Sequence, residues 1–110
     1  MRVLALEHDL SLTIRPDLSD IQRAEAAAVW DLQKRGIIRE IWFTAGRHRA
    51  IIMLECASTC EARNHLATLP LVHQGLSEFD LLELTAYDGY ERLFGAGLVP
   101  AARHEEPPEY

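Results

Sequence analysis

Apolar residues recur at helical spacing between Asp17 and Gly36. At 100° per residue, five apolar side chains of this segment fall within one arc of roughly 100°, the width of a core-facing helical stripe: Leu18, Ile21, Ala28, Val29 and Leu32. Glu25 lies inside the same arc. The pattern therefore predicts an amphipathic helix that turns one carboxylate toward the interior, where it must be paired, hydrogen-bonded or protonated.

The segment before this helix has the period of a strand. Residues 2–14 alternate between two phases and predict a half-buried strand that ends or bends after Asp9. His8 lies on the more apolar phase, together with Leu4 and Leu6. The other phase carries Val3, Ala5, Glu7, Asp9, Ser11 and Thr13.

The rest of the chain predicts three more strands and a second helix. Residues 37–44 are rich in β-branched and aromatic side chains and predict strand two, which a turn at residues 45–49 joins to strand three at 50–57. The nearly unbroken apolar run of strand three predicts a central position with both faces covered. A capping box at Ser58 and Glu61 predicts a helix that ends at Pro70, followed by a loop. Strand four is predicted at residues 78–87, and a short helical turn at 90–94.

The resulting order, βαββαβ, is the ferredoxin-like plan: a four-stranded antiparallel sheet with both helices on one face, of the α+β class. Residues 1–94 are predicted to form this single domain, and residues 95–110 a mobile tail. The other sheet face needs cover, and apolar residues on both phases of strand three predict that a second copy supplies it. We therefore expect a homodimer, and the pattern leaves a higher assembly open.

Composition narrows the class of partner. The chain has 110 residues and a formal charge of −6, which argues against nucleic acid, since phosphate binding needs a basic stripe. No apolar run approaches the roughly 20 residues that span a bilayer, and the N-terminus does not read as a signal peptide. The two cysteines, Cys56 and Cys60, form no disulfide framework and lack further ligands for a metal. A soluble cytoplasmic protein without a metal is expected, and its sequence carries no dinucleotide or phosphate-binding motif.

Residues 23–71 resemble the muconolactone isomerase family without a gap. The resemblance is carried by Glu25, the helix end LQKRG, Arg39, Trp42, the turn Ala45-Gly46 and the ending Leu69-Pro70-Leu71; the segment FDLLEL is more loosely similar to the last strand of the family. It implies a dimeric α+β barrel without metal or organic cofactor. It also implies a proton transfer that moves a double bond in an unsaturated lactone, with Glu25 as the proton carrier.

This chain departs from the family pattern at two places. Phe43 follows the tryptophan where the family has arginine. In the hairpin turn, Arg47 and His48 stand where the family has a histidine before a tyrosine. These changes do not alter the predicted fold, but they leave the identity of the substrate open.

Glu25 is therefore the candidate catalytic residue, acting as general acid and base, and a structural ion pair to a basic residue is its alternative. Arg39 is a candidate for stabilising an enolate or binding a substrate carboxylate, and a surface or interface salt bridge is its alternative. Trp42 is a candidate for forming a wall of the pocket, and packing in the core or interface is its alternative. His8, His48 and Tyr87 are further candidates for lining the substrate site.

The sequence thus favours a cofactor-free isomerase acting on a small unsaturated lactone or related carbonyl compound. Two alternatives stay open. One is a cofactorless monooxygenase of the same superfamily, which would consume oxygen. The other is a dimeric small-molecule binding module without chemistry, which predicts that Glu25 is locked to a basic partner.

Overall fold

The computed structural model describes residues 1–9 and 15–94. Its elements follow the chain as β1 (Arg2–Asp9), α1 (Leu18–Lys34), β2 (Ile38–Phe43), β3 (Ala50–Glu55), α2 (Thr59–Ala67), α3 (Pro70–His73), β4 (Ser77–Leu84) and α4 (Glu91–Phe94). The predicted tail at 95–110 and the predicted strand residues 10–14 lie outside the described residues. None of the helices in the described part of the chain is long and apolar enough to cross a bilayer.

The four strands form one antiparallel sheet in the order β2-β3-β1-β4, which confirms the ferredoxin-like α+β fold and the central position of β3. β1 pairs with β3 from Arg2↔Glu55 to Leu6↔Ile51. It pairs with β4 over its whole length, from Arg2↔Leu84 to Asp9↔Ser77. Beyond Leu6, therefore, β1 remains joined to β4 while its ladder with β3 has ended.

The two faces of the sheet have different surroundings. Successive side chains of a strand point to opposite faces, so one phase of each strand meets the helices. The phase that packs against the helices includes the fully buried residues Val3, Ala5, Ile52 and Leu54. The other face, here called the open face, carries half-buried or exposed side chains: Leu4, Leu6, His8, Trp42, Ile51, Met53, Leu82 and Leu84.

Helix α1 is oriented as its sequence predicts. Leu32 is buried, Ala28 and Val29 pack against the core, and Glu25 is half-buried on the same side. The helix ends in the turn at Gly36, whose φ of 80° suits a residue without a side chain. This orientation carries the Glu25 carboxylate toward the sheet.

Helix α2 begins with the predicted capping box. The Ser58 hydroxyl accepts a hydrogen bond from Glu61 N–H at 3.0 Å, and the Glu61 carboxylate accepts one from Ala57 N–H at 3.1 Å. The prediction that a loop follows this helix is wrong for residues 71–73, because Pro70 begins α3. Proline lacks an N–H and has a fixed φ, so it suits the first position of a helix as well as it ends the preceding one.

Candidate functional site

Glu25 lies near the middle of α1 on its sheet-facing side. Its Oε1 accepts a hydrogen bond from Leu71 N–H at 2.9 Å. Leu71 stands in the first turn of α3, where backbone N–H groups have no partner within the helix. Within residues 1–9 and 15–94, no lysine, arginine or histidine forms an ion pair with Glu25. A backbone amide therefore anchors this carboxylate, and one oxygen is left for other contacts.

Glu7 is a second carboxylate on the helix-facing side of the sheet. Its Oε1 accepts a hydrogen bond from Ala50 N–H at 2.8 Å, and its Oε2 accepts one from the Ser77 hydroxyl at 2.6 Å. The Arg49 Nε–H donates to the Glu7 backbone carbonyl at 2.9 Å. Groups from β1, from the start of β3 and from the start of β4 thus meet at Glu7.

A cleft between α1 and the sheet contains both carboxylates. One part, the Glu25 compartment, has a volume of about 320 Å³ and is lined by Glu7, Gln22, Glu25, Ala26, Val29, Phe43, Ala50, Ile52, Leu71 and Phe79. The adjoining part, the arginine compartment, has a volume of about 260 Å³ and includes Arg47, His48, Arg49 and Ser77 in its wall. The two share Glu7, Gln22, Phe43 and Leu71. The cleft therefore joins an apolar chamber with two carboxylates to a region with two arginines.

The surroundings of Glu25 favour its neutral form. Burial raises the pKa of the Glu25 carboxyl above its ordinary value, the hydrogen bond from Leu71 N–H opposes that rise, and the negative charge of Glu7 adds to it. A carboxyl group with a raised pKa holds its proton at higher pH than an exposed one. This property suits a group that both accepts and donates a proton.

The raised pKa makes stability depend on pH. Because the pKa is higher in the folded state, Glu25 contributes stability at pH values below its unfolded pKa, and that contribution is lost as the pH rises through the folded value. A Glu25→Gln variant has no charge to bury. We expect its melting temperature to exceed that of the parent at neutral pH and this advantage to disappear in acid, as measured by circular dichroism.

Glu83→Gln is the matched control, since Glu83 is exposed near the far end of β4. Its difference from the parent should not follow the pH pattern of Glu25→Gln. A Glu25→Gln protein that is less stable than the parent at neutral pH, and equally so in acid, would contradict the prediction.

His48 is the second predicted site residue that the structure places at the cleft. It lies in the β2–β3 turn with a φ of 55°, and its ring centroid is 4.9 Å from that of Phe43. Both rings line the arginine compartment. Glu25 and His48 are thus brought to adjoining parts of one cleft.

The other predicted site residues lie elsewhere in the single chain. His8 and Trp42 are on the open face, where His8 Nε2 contacts the Asp80 carboxylate and Trp42 Nε1–H donates to Glu40 at 3.1 Å. Arg39 is exposed at the irregularity in β2, near the opposite end of the sheet. Tyr87 follows β4 at that same end and is 67% exposed. Their roles in substrate binding stay predictions.

The sequence interpretation missed Glu7, Arg49 and Ser77. Glu7 shares a strand phase with Val3 and Ala5, the phase that faces the helices, and this was the signal available for it. Ser77 is buried although polar, and Arg49 ends the hairpin turn. Their meeting depends on strand pairing distant in sequence. Within the described ranges, no cluster of three His, Cys, Asp or Glu side chains is suited to hold a metal ion.

Comparison with known proteins supplies independent information. The family described as "Muconolactone delta-isomerase" matches residues 8–83. A search of curated protein sequences finds no match.

Two solved structures share this fold. The crystal structure of muconolactone isomerase matches with a TM-score of 0.70 at 19% identity, covering 80% of this chain and 92% of that one. A 5-chloro-2-hydroxyhydroquinone dehydrochlorinase from Burkholderia phenoliruptrix AC1100, in complex with 2,5-dihydroxybenzoquinone, matches with a TM-score of 0.58 at 18% identity, covering 81% and 98%. At these identities, the structures establish the likeness of fold.

Proposed function

Because the chain belongs to the muconolactone delta-isomerase family, we propose that it catalyses a cofactor-free isomerisation of a small unsaturated lactone or related carbonyl compound, with Glu25 as the proton carrier. One observation carries the proposal: the half-buried Glu25 carboxylate lines a compartment of about 320 Å³ and has no ion-pair partner within residues 1–9 and 15–94. This volume falls in the range of small-molecule sites, about 300–1,000 Å³.

The proposed reaction needs a single proton carrier. The Glu25 carboxylate takes the proton from a carbon next to the carbonyl, and the electrons of the broken C–H bond spread over the conjugated system as an enolate. Glu25 then returns the proton to a more distant carbon, which shifts the C=C bond and regenerates the carboxylate. The apolar walls of the Glu25 compartment favour this exchange by limiting competition from water.

The charge distribution of the cleft supports an orientation for the substrate. Arg47 and Arg49 line the arginine compartment, Glu25 lines the other, and Glu7 lies where the two adjoin. An anionic group on the substrate is attracted toward the arginines and repelled by the carboxylates. A substrate with a carboxylate at one end therefore places its carbonyl-bearing end beside Glu25.

Turnover of muconolactone and of structural relatives with an unsaturated lactone ring tests the proposal. In D₂O, proton NMR should show formation of the isomer, with deuterium entering at the carbon that receives the proton from Glu25. An oxygen electrode run in parallel distinguishes the monooxygenase alternative, which consumes oxygen. Failure of all lactones to exchange or isomerise would overturn the proposal.

A binding module without chemistry is the other alternative. It predicts a basic residue holding Glu25, whereas the described contacts of this carboxylate are limited to the Leu71 N–H. This observation favours the enzyme.

The aromatic substrate in the name of the structurally similar dehydrochlorinase supports a role in the degradation of aromatic compounds. We propose the cytoplasm as the location of this role.

The homodimer also belongs to this proposal. The open face presents an apolar strip formed by Leu4, Leu6, Ile51, Met53 and Leu82, whose side chains are half-buried or exposed in one chain. Two such faces packed together remove this surface from water. The arrangement is the dimeric α+β barrel that the family resemblance implies.

A Leu82→Glu substitution is expected to convert the dimer into a monomer, because it would bury two additional carboxylates at the interface. Light scattering coupled to size-exclusion chromatography measures the change as a halved mass. Leu93→Glu is the matched control, since Leu93 is 70% exposed on α4, away from the sheet strands. A parental protein that is monomeric at all concentrations would refute the dimer.

A further inference from the structure

The contacts of Glu7 and Glu25 give the two carboxylates different properties. Both oxygens of Glu7 act as acceptors, from Ala50 N–H at 2.8 Å and from the Ser77 hydroxyl at 2.6 Å. These two donors suit an ionised carboxylate, which can only accept. Glu25 accepts one hydrogen bond, from Leu71 N–H, among the contacts of the described residues. Glu7 is therefore fixed in place, and Glu25 has an oxygen available to a ligand.

We infer that Glu7 is a positioning residue for the proton transfer: a carboxylate fixed in the wall of the cleft that assists Glu25 in holding the proton taken from the substrate until it is returned. The inference rests on the proposed function for the step it assists. Its physical basis is the placement of both carboxylates in the Glu25 compartment, where apolar walls weaken the screening of one charge by water.

The other charged groups around Glu25 are few. Among the described residues that line the Glu25 compartment, β1 contributes Glu7, while the neighbouring positions of α1, α3 and the other strands contribute neutral side chains. The β2–β3 turn contributes Arg47, His48 and Arg49 to the adjoining compartment. The charge of Glu7 raises the pKa of Glu25, in addition to the effect of burial.

The hydrogen bonds of Glu7 explain how its charge is held. The ladder between β1 and β3 ends at Leu6↔Ile51, and the Glu7 side chain takes the next N–H of β3, at Ala50. Ser77, buried at the start of β4, holds the second oxygen. Substitution of Ser77 by alanine removes one of these hydrogen bonds but keeps the charge of Glu7. It therefore separates the effect of the charge from the effect of local packing.

Carbon-13 NMR titration of the glutamate side-chain carboxyls tests the inference without any substrate. The Glu25 signal is assigned by its loss in Glu25→Gln. In Glu7→Gln, which keeps the shape of the side chain, the pKa of Glu25 is expected to shift downward toward its ordinary value. In Ser77→Ala it should stay raised. This readout is independent of turnover, so failure of the isomerase proposal and failure of this inference are distinguishable.

Two results would overturn the role of Glu7. The first is an unchanged pKa of Glu25 in Glu7→Gln. The second is a downward shift in Ser77→Ala as large as that in Glu7→Gln, which would assign the effect to local packing. Glu7→Met is the second charge-free variant, in case Glu7→Gln does not fold. Unfolding of both would assign Glu7 a structural role and equally overturn the inference.

Discussion

A Glu25→Gln variant is expected to lose turnover of a confirmed substrate by about 10²–10⁴-fold, the usual contribution of a positioned general acid–base group. Glutamine keeps the length of the side chain, and its amide oxygen can accept the hydrogen bond from Leu71 N–H that holds Glu25. It cannot carry a proton between two carbons. The loss should therefore fall on kcat, with a smaller change in KM, and deuterium exchange at the substrate should slow by the same factor.

The control separates loss of chemistry from loss of structure. Glu83→Gln makes the same chemical change at an exposed position near the far end of β4 and should retain the parental rate. Circular dichroism should give the same spectrum for both variants and the parent. Parental turnover by a folded Glu25→Gln protein would remove Glu25 from the mechanism.

The largest expected effect on stability comes from Leu54→Ala. Leu54 is 0% exposed in β3, paired with Val3 on one side and Ile38 on the other. Its truncation removes buried methyl groups and leaves a cavity, a change that lowers the free energy of unfolding by about 2–5 kcal/mol. Urea denaturation followed by circular dichroism measures this loss as a lower midpoint.

Leu93→Ala is the control for the same chemical change at the surface. Leu93 is 70% exposed, so its truncation should alter the free energy of unfolding by at most about 0.5 kcal/mol. If Leu54→Ala were as stable as Leu93→Ala, the assignment of Leu54 to the centre of the core would be wrong. Because the proposed homodimer would add stability that depends on concentration, both variants are compared at one protein concentration.

The orientation of the Glu25 side chain toward the sheet was predictable because a single helix determines it. The spacing of Ile21, Ala28 and Val29 defines the sheet-facing side of α1, and Glu25 falls within that side whatever the rest of the chain does. The antiparallel order of the strands was predictable in the same way, from the alternation of helix and strand patterns.

The assignment of sheet faces needed information that a single strand does not contain. Leu4 and Leu6 make one phase of β1 the more apolar, yet Val3 and Ala5 on the other phase are fully buried against the helices. On β1, the shorter side chains therefore face the helices and the longer ones lie on the open face. Glu7 was therefore missed, because its phase carries more polar residues than the other phase.

The contacts around Glu7 depend on residues far apart in the chain. Ser77 lies 70 positions after Glu7, and Ala50 lies 43 positions after it. No local pattern indicates which strand ends will meet, because the register of the sheet decides it. The predicted loop after α2 failed for a different reason, since Pro70 is equally suited to ending one helix and starting another.

At the cleft, the sheet divides into two ribbons, β2 with β3 and β1 with β4, since the ladder between the central strands stops at Leu6↔Ile51. The Glu7 carboxylate connects the two ribbons, because it accepts hydrogen bonds from Ala50 N–H in one and from the Ser77 hydroxyl in the other. A molecule bound in the cleft would therefore contact a part of the sheet that hydrogen bonds hold on both sides of Glu7. We therefore expect adjustment to a bound molecule at the opposite wall, where the Leu71 N–H of α3 donates to the Glu25 carboxylate of α1.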